Sequence, residues 1–409
     1  MKTITKTIKN GATLIYTQKK GDPFVSLTYG FQVGSANEND SNRGISHFIE
    51  HHCFNGSEKY TKEQFNFLPI EWGGYINANT CDSVTQYEVQ ALKEFYPSAI
   101  DLLSQLCFHP TFPDELLEKE KGIVLQEIEQ SKDDVWRAAY KGLNSMFVDE
   151  KFQHPVLGYE EIIKNLSRND LIAYYDNYYF PANCVVSVCG DVKIDDLIIE
   201  IEKYIPDIEG TIKQLEFNYE INSKLGIFYK EAISQNKLLK CYIIPKETKD
   251  NLIIAGDVLG GGLGARLVNE LREKRSLCYQ CGCSVSNHGD KYMFYVYISY
   301  GDDSKTGIII DEIDRILAEV AIDLSEEEFN RTLSNIRGAL YRSIETSKGI
   351  STSKPRKFFT GGEVDVDKTA KKFKKIKIEK VKKSIKKYLT KENSFVCVLK
   401  NKGADNEQN

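Results

Sequence analysis

Two strand-like runs open the chain, at residues 12–18 and 24–33, parted by the turn-forming Lys19-Lys20-Gly21-Asp22-Pro23. A polar Gly/Asn/Ser-rich loop covers 34–44, and the apolar period then changes to that of a helix over 45–54. Gly73-Gly74 leads into an alternating stretch at 75–92, followed by long helical patterns at 96–107 and 113–148, the second with Pro113 in its first turn. A strand at 184–192 and a helix at 194–204 complete this half. After a polar connector the order resumes. Strands are expected at 225–229 and 238–244, a helix running into Leu259-Gly-Gly-Gly262, and another at 263–274. Strands at 278–286 and 292–300, helices at 302–321 and 325–347, a basic helix and a strand at 394–399 follow. Both halves read strands, Gly-rich loop, short helix, paired strands, long helices, final strand. The expected class is therefore α+β, as two duplicated α/β sandwich domains, each a mixed sheet packed with helices. The expected boundaries are 1–210 and 225–409, with a linker at 211–224.

Composition narrows the class of molecule. The chain has 409 residues, 41% hydrophobic and 28% charged, as expected of globular domains and not of a disordered chain. It contains no run of about 18 apolar residues, so no membrane span is expected. Its first residues lack the apolar stretch of a signal peptide, which makes a cytoplasmic location the expectation. The ten cysteines are scattered and mostly lie in apolar runs, the pattern of free packed thiols. The one cluster, Cys278-Tyr-Gln-Cys281-Gly-Cys283, alternates like a strand and has no second Cys/His pair nearby to complete a metal site.

Charge is uneven. Residues 368–391 hold 12 Lys against the single acid Glu379; −5 overall and +11 there leave −16 elsewhere. Val381, Ile385, Tyr388 and Leu389 recur through this segment at helical spacing, so it reads as a surface helix with a solvated basic face. Neither an aromatic platform nor a recognition motif accompanies it, and no nucleic-acid partner is expected. The acidic remainder suits a cationic substrate.

Candidate chemistry lies in Gly44-Ile-Ser-His47-Phe-Ile-Glu50-His51-His52-Cys-Phe54. At about 100° per residue, His47, Glu50 and His51 project from one helix face, whereas His52 points away. Histidines at i and i+4 can reach one zinc ion, and the Glu between them can take a proton from water. Composition alone yields roughly 0.013 such motifs in a chain of this length, against the alternative of a merely solvated polar face. Glu120 and Glu127, two turns apart on a strongly helical segment, also share one face. By themselves these are equally well surface acids.

With its acidic pair some seventy residues on, His47-x-x-Glu50-His51 resembles the inverted zinc motif of the insulinase/pitrilysin-type metallopeptidases, in the short-chain subgroup with the mitochondrial processing peptidases. Gly74-Tyr-Ile-Asn77-Ala78-Asn-Thr80 is similar to that family's edge strand. His154-Pro-Val-Leu-Gly158, Tyr179-Phe-Pro181-Ala-Asn183 and Leu271-Arg272 through Tyr279 are also family-like. The resemblance implies one Zn2+ per chain held by His47, His51 and Glu127, with Glu50 as general base and Glu120 behind a ligand imidazole. It implies that Asn77 and Ala78 bind an extended peptide, and that Arg272 and Tyr279 grip the substrate carbonyl. The implied activity is hydrolysis of internal bonds in peptides or leader segments. The alternative is a non-catalytic substrate-binding subunit of a heteromeric processing peptidase. The implied shape is half of a clamshell that closes by dimerisation, with an identical or a similar chain. His52-Cys53 and Cys81-Asp82 depart from the family's pattern beside the site.

Overall fold

The computed structural model describes residues 1–402. Two compact units form, and neither is contiguous in sequence. The first gathers Met1–Gln130, His154–Leu215 and Tyr341–Thr369; the second gathers Ser131–Gln153, Glu216–Leu340 and the chain from Ala370.

In the first unit β1 (Thr3–Thr7), β2 (Thr13–Gln18), β3 (Phe24–Phe31), β4 (Tyr75–Thr80), β5 (Thr85–Leu92) and β6 (Cys184–Gly190) make one sheet, ordered β1-β2-β6-β3-β5-β4. Every neighbouring pair is antiparallel except β2 with β6. In the second unit β7 (Leu225–Lys230), β8 (Asn236–Ile244), β9 (Gln280–His288), β10 (Lys291–Tyr300) and β11 (Phe395–Asn401) are ordered β7-β11-β8-β10-β9, with only β7 and β11 parallel. Once β1 is set aside, replacing β2 through β6 by β7 through β11 turns one order into the other. The duplication expected from the pattern of elements is thus a duplication of topology. The stretch expected at 75–92 is a hairpin, because the chain turns between Thr80 and Thr85.

Strand alternation builds two layers on the first sheet. Val25, Leu27, Tyr29 and Phe31 of β3 enter a core shared with the helix α3, introduced below. Ser26, Thr28 and Gly30 face the other way. There the Ser26 hydroxyl donates to the Ser347 hydroxyl at 3.1 Å, and a Cβ on Gly30 would stand 2.4 Å from Cβ of Pro355. The helices of this unit that matter for the site are α1 (Ile45–Cys53), α2 (Lys62–Glu71), α3 (Tyr96–Phe108) and α4 (Asp114–Ser131). Tyr29 of β3 meets Ser104 of α3 through their hydroxyls at 3.0 Å, and Phe31 meets Phe108 edge-on at 5.7 Å.

The single helical pattern expected over 113–148 is broken. α4 stops at Ser131, and Asp134 caps a new helix, α5 (Val135–Asn144), by accepting from the Arg137 N–H at 3.0 Å. α5 buries Ala139 and Leu143 with Leu239 and Cys241 of β8 and Cys397 and Leu399 of β11, so it belongs to the second unit. Conversely the helices Ser347–Thr352 and Lys354–Phe359 pack on β3 and β6 of the first. Each half of the chain lends one helical segment to the other half's sheet. Apolar periodicity shows that these helices have a buried side but not which sheet buries it, and the contiguous boundaries expected at 210 and 225 differ from the observed units for that reason. The Lys-rich segment forms Val366–Lys374 and Ile378–Tyr388, with Val381, Ile385 and Leu389 buried.

Two glycines place α1. Gly44, immediately before it, has φ +96°, and Gly158 has φ +76°. A Cβ on Gly158 would lie 2.3 Å from the Arg43 carbonyl oxygen and 2.5 Å from the Gly44 Cα, so the two loops touch backbone to backbone. Gly158→Ala is expected to cost at least ~2 kcal/mol in chemical denaturation, from left-handed strain plus the clash. An unchanged denaturation midpoint refutes this role for the contact.

Lys354 is buried in the same unit, where its ammonium donates to Thr17 Oγ1 at 2.6 Å and Thr3 Oγ1 at 3.1 Å. Burial pushes it down from the usual 10.5 to about 8. Between those pH values the unfolded chain binds the extra proton, so stability rises as pH increases from about 8 to 10.5. Relative to Lys354→Met, the native chain is expected to gain up to about 3 kcal/mol across that window. Parallel denaturation curves for the two chains at every pH would contradict it.

Candidate metal centre

The loop ahead of α1 is tied to the helix by one carboxylate. Glu38 accepts from the Gly44 N–H at 2.7 Å and the Ser46 N–H at 2.9 Å, while Arg43 donates to the Glu38 carbonyl at 3.0 Å. A carboxylate at this place satisfies N-terminal amides and complements the helix dipole. Burial nevertheless pushes Glu38 up to about 7 against those hydrogen bonds.

Along α1 the helical period carries His47, Glu50 and His51 to one face, as expected, and α4 presents Glu120 and Glu127 to it. Nε2 of His47 and Nε2 of His51 each lie 3.6 Å from Oε2 of Glu127. The two imidazole rings are 4.6 Å apart at 61°. One donor atom from each of the three residues falls within 4.8 Å of the others. Glu120 takes the opposite side of His51: its Oε1 lies 3.2 Å from Nδ1. With Nδ1–H donated to that carboxylate, the lone pair of His51 is left on Nε2, toward Glu127.

Glu120 is itself held. Its Oε2 accepts from Asn55 Nδ2 at 3.0 Å and lies 3.4 Å from Lys62 Nζ, and Lys62 donates to Asn55 Oδ1 at 2.5 Å. Burial works to raise Glu120, but hydrogen bonds from His51 and Asn55 and the Lys62 charge pull it down to about 2. It is a permanent carboxylate. Glu50, also buried, receives the Thr80 hydroxyl at 2.5 Å. Burial raises Glu50 to about 7 in the metal-free chain, opposed by the Thr80 hydrogen bond and by His51.

The donor set fits zinc. Two imidazole nitrogens and one carboxylate oxygen converge, and a buried carboxyl stands beside them without joining the set, a donor composition that suits a zinc ion with an open position. His52 is excluded from it. Its ring stacks between Phe48 and Phe112 at 14° and 13°, its Nδ1 meets Asn55 Nδ2 at 2.7 Å, and burial lowers it to about 4. Cys53 beside it is buried, accepts from the Tyr87 hydroxyl at 3.6 Å, and is pushed up to about 12. The departures from the family's pattern at these two positions are thus core packing, and His52 adds one contact behind Asn55.

Asn77 and Ala78 lie on β4, at the edge of the sheet, opposite Glu88 and Tyr87 of β5. Ala78 packs inward and Asn77 is exposed, and among the described residues β4 pairs with β5 alone. Arg272 and Tyr279 belong to the second unit. Arg272 sits in a wide helical turn, Val268–Lys274, with its Nε 3.5 Å from Glu273; Tyr279 is 71% exposed and its N–H donates to the Ser299 carbonyl at 2.9 Å. The structure therefore gathers His47, Glu50, His51, Glu120 and Glu127 in one unit, beside the edge strand, and puts Arg272 and Tyr279 on the other. Thr80, Asn55 and Lys62 went unassigned in the sequence. Alternation along β4, which puts Thr80 on the Ala78 face, was the available signal for the first. No local signal existed for Lys62, which acts on Glu120 only through folding.

Residues 13–157 match the family model described as Insulinase (Peptidase family M16), and residues 165–336 match that described as Peptidase M16 inactive domain. An uncharacterized zinc protease of Rickettsia felis is 27% identical over 83% of both chains. An uncharacterized zinc protease of Bacillus subtilis is 26% identical over 92% of this chain and 93% of its own. The mitochondrial-processing peptidase subunit beta of Caenorhabditis elegans is 26% identical over 53% of this chain and 47% of its own. The fold is that of a protease from Helicobacter pylori, with a TM-score of 0.87 at 18% identity over 98% of this chain and 99% of that one. Donor geometry in the first unit and matches along both halves lead to one conclusion: the chain belongs to the insulinase (M16) family of peptidases.

Proposed function

We propose that this chain is a zinc-dependent endopeptidase that cleaves internal bonds of peptides or extended leader segments. The observation that carries the reading is the convergence of His47, His51 and Glu127 beside a buried Glu50 that is not part of the donor set. A chain that only bound peptides has no use for Glu50 held ready by Thr80. The inactive-domain match covers residues 165–336, and every expected donor (His47, His51 and Glu127) lies ahead of it, within the 13–157 match.

His47, His51 and Glu127 would hold zinc, which when bound would supply Lewis acidity to the scissile carbonyl and to water. Glu50 accepts the proton of the attacking water and delivers it to the departing amine nitrogen. Thr80 fixes which carboxylate oxygen does so. Glu120 keeps His51 in one tautomer and one orientation, and Asn55 and Lys62 keep Glu120 ionised. The free edge of β4 takes the substrate as an added strand, with backbone bonds at Asn77 and Ala78, so recognition depends on extended conformation more than on side chains. Arg272 and Tyr279 supply donors to the carbonyl oxygen as charge develops on it.

Purified protein is expected to hold one zinc per chain, and His47→Ala, His51→Ala or Glu127→Gln to lose it. Glu50→Gln is expected to keep the metal yet lower kcat on the order of a thousandfold in a quenched-fluorescent peptide assay. Near-normal turnover in that variant refutes the mechanism. Glu120→Gln is expected to weaken zinc roughly 10- to 100-fold, with part of the activity restored by excess zinc.

We further infer that two chains, identical or similar, complete each site, Arg272 and Tyr279 coming from the partner. Glu50→Gln and Arg272→Ala proteins, each inactive alone, are mixed in equal amounts. Random pairing makes half the dimers mixed, each with one intact site of two, so activity recovers to roughly a quarter of wild type. Absence of recovery despite demonstrated subunit exchange refutes the shared site.

A further inference from the structure

The Lys-rich segment takes no part in the chemistry above. From Lys371 onward it belongs to the second unit. Its second helix, Ile378–Tyr388, lies on the helices Lys249–Gly260 and Thr306–Asp323, where Val381 and Ile385 are buried in that unit's core. On the same side the Ser384 hydroxyl accepts from Asn251 Nδ2 at 2.9 Å. At about 100° per residue, Lys380, Lys383, Lys386 and Lys387 fall within about 120° of arc on the opposite side, and all four are exposed. The one acid, Glu379, stands in the first turn beside them. Just ahead of the helix the chain adds the exposed Lys374, Lys375 and Lys377.

Like charges this close repel one another, and carboxylates do not relieve them. Of the ten exposed lysines in 371–391, Lys372 pairs with Asp250 and Lys391 lies 3.6 Å from Asp311; among the described residues no other forms an ion pair. Acids are not scarce, since the chain outside 368–391 carries −16. Three features say what such a face fits. Its helix uses the apolar side in the core, so it has nothing to insert into a hydrocarbon layer. The segment has no arginine, and so no planar fork to grip a single phosphate. Tyr388, the helix's one aromatic, is half-buried with Lys387 Nζ 4.9 Å from its ring centre, which leaves no platform for a nucleic-acid base. Ammonium point charges spread over a convex helix suit a broad, planar array of anionic groups.

We propose that this face docks the protein, without insertion, on the surface of a bilayer that contains anionic phospholipid. The lysine ammoniums come within a Debye length of the headgroups, where their attraction is least screened. The acidic remainder of the chain is repelled by the same surface, so the molecule approaches with this helix leading. Because the helix contributes charge and no apolar side chain to the contact, binding is reversible and falls steeply as salt rises. The inference does not depend on the peptidase reading.

Co-sedimentation of the full chain with vesicles tests it. The chain is expected to pellet with phosphatidylcholine vesicles that contain phosphatidylglycerol, and not with phosphatidylcholine alone. Raising salt from about 0.1 M to about 1 M shortens the Debye length from about 10 Å to about 3 Å and is expected to release it. Lys380→Gln, Lys383→Gln, Lys386→Gln and Lys387→Gln together are expected to weaken partition, roughly fivefold for each lysine, while Arg at the same four positions leaves it unchanged. Lys164→Gln, Lys203→Gln, Lys213→Gln and Lys224→Gln remove equal charge from other exposed positions and are expected to have little effect. No pelleting with phosphatidylglycerol, equal pelleting with phosphatidylcholine, binding that survives high salt, or equal losses in the two four-Gln chains overturns the docking face. Tighter binding to RNA than to vesicles, phosphate for phosphate, overturns lipid as the partner. The lipid and salt comparisons use the unaltered chain, so they decide the matter even where a variant fails to fold.

Discussion

Burying a carboxylate is costly unless each of its oxygens finds a donor, and Glu120 meets that condition with three groups drawn from separate parts of the chain. His51 comes from α1, Asn55 from the turn after it, and Lys62 from the first turn of α2. The carboxylate therefore joins α4 to α1 and α2. The same bonds leave His51 with its lone pair on Nε2, facing Glu127 seven residues further along α4. Removing Glu120 would free the His51 ring to rotate and leave Lys62 and Asn55 without their common acceptor. Donor geometry at the site, and the ionisation of the groups around it, both depend on this one contact.

Duplication explains why the chemistry sits on one unit only. Between β3 and β4 the first unit places α1, with its histidines and glutamate; between β8 and β9 the second unit places the helix Lys249–Gly260. That helix buries Leu252, Ile254, Ala255, Val258 and Leu259 and has no histidine or glutamate at all. Topology is shared and ligands are not. The second unit's exposed Arg272 and Tyr279 lie after the equivalent helix, on the approach to an edge strand, just as the first unit's helices lead to β4. A fold used twice carries the donor set once.

Both sheets are covered on their second face by a helical segment from the other half of the chain. α5 buries Ala139 and Leu143 on the second sheet, and the helices from Ser347 bury Ser347, Ile350 and Pro355 on the first. Such an exchange ties the folding of each sheet to a segment from the other half of the chain, because the sheet loses its cover without it. Gly30, which has no side chain to obstruct Pro355, and Ser26, which meets Ser347, mark the seat of the exchanged segment on β3.

Features set by short-range geometry were legible in the sequence. Spacings of three, four and seven residues on a helix place His47, Glu50 and His51 on one face and Glu120 and Glu127 on another, whatever else the chain does, because the α-helix repeats every 3.6 residues. Strand and helix order, repeated across the two halves, carried the fold class for the same reason. Contacts that join distant segments were not legible. Asn55 and Lys62 at Glu120, Thr80 at Glu50 and the choice of sheet for α5 each depend on which surfaces meet after folding. Local periodicity records that a side chain is buried or which way it points along its own element. It holds no information about the partner that covers it, and that partner was decided by tertiary packing alone.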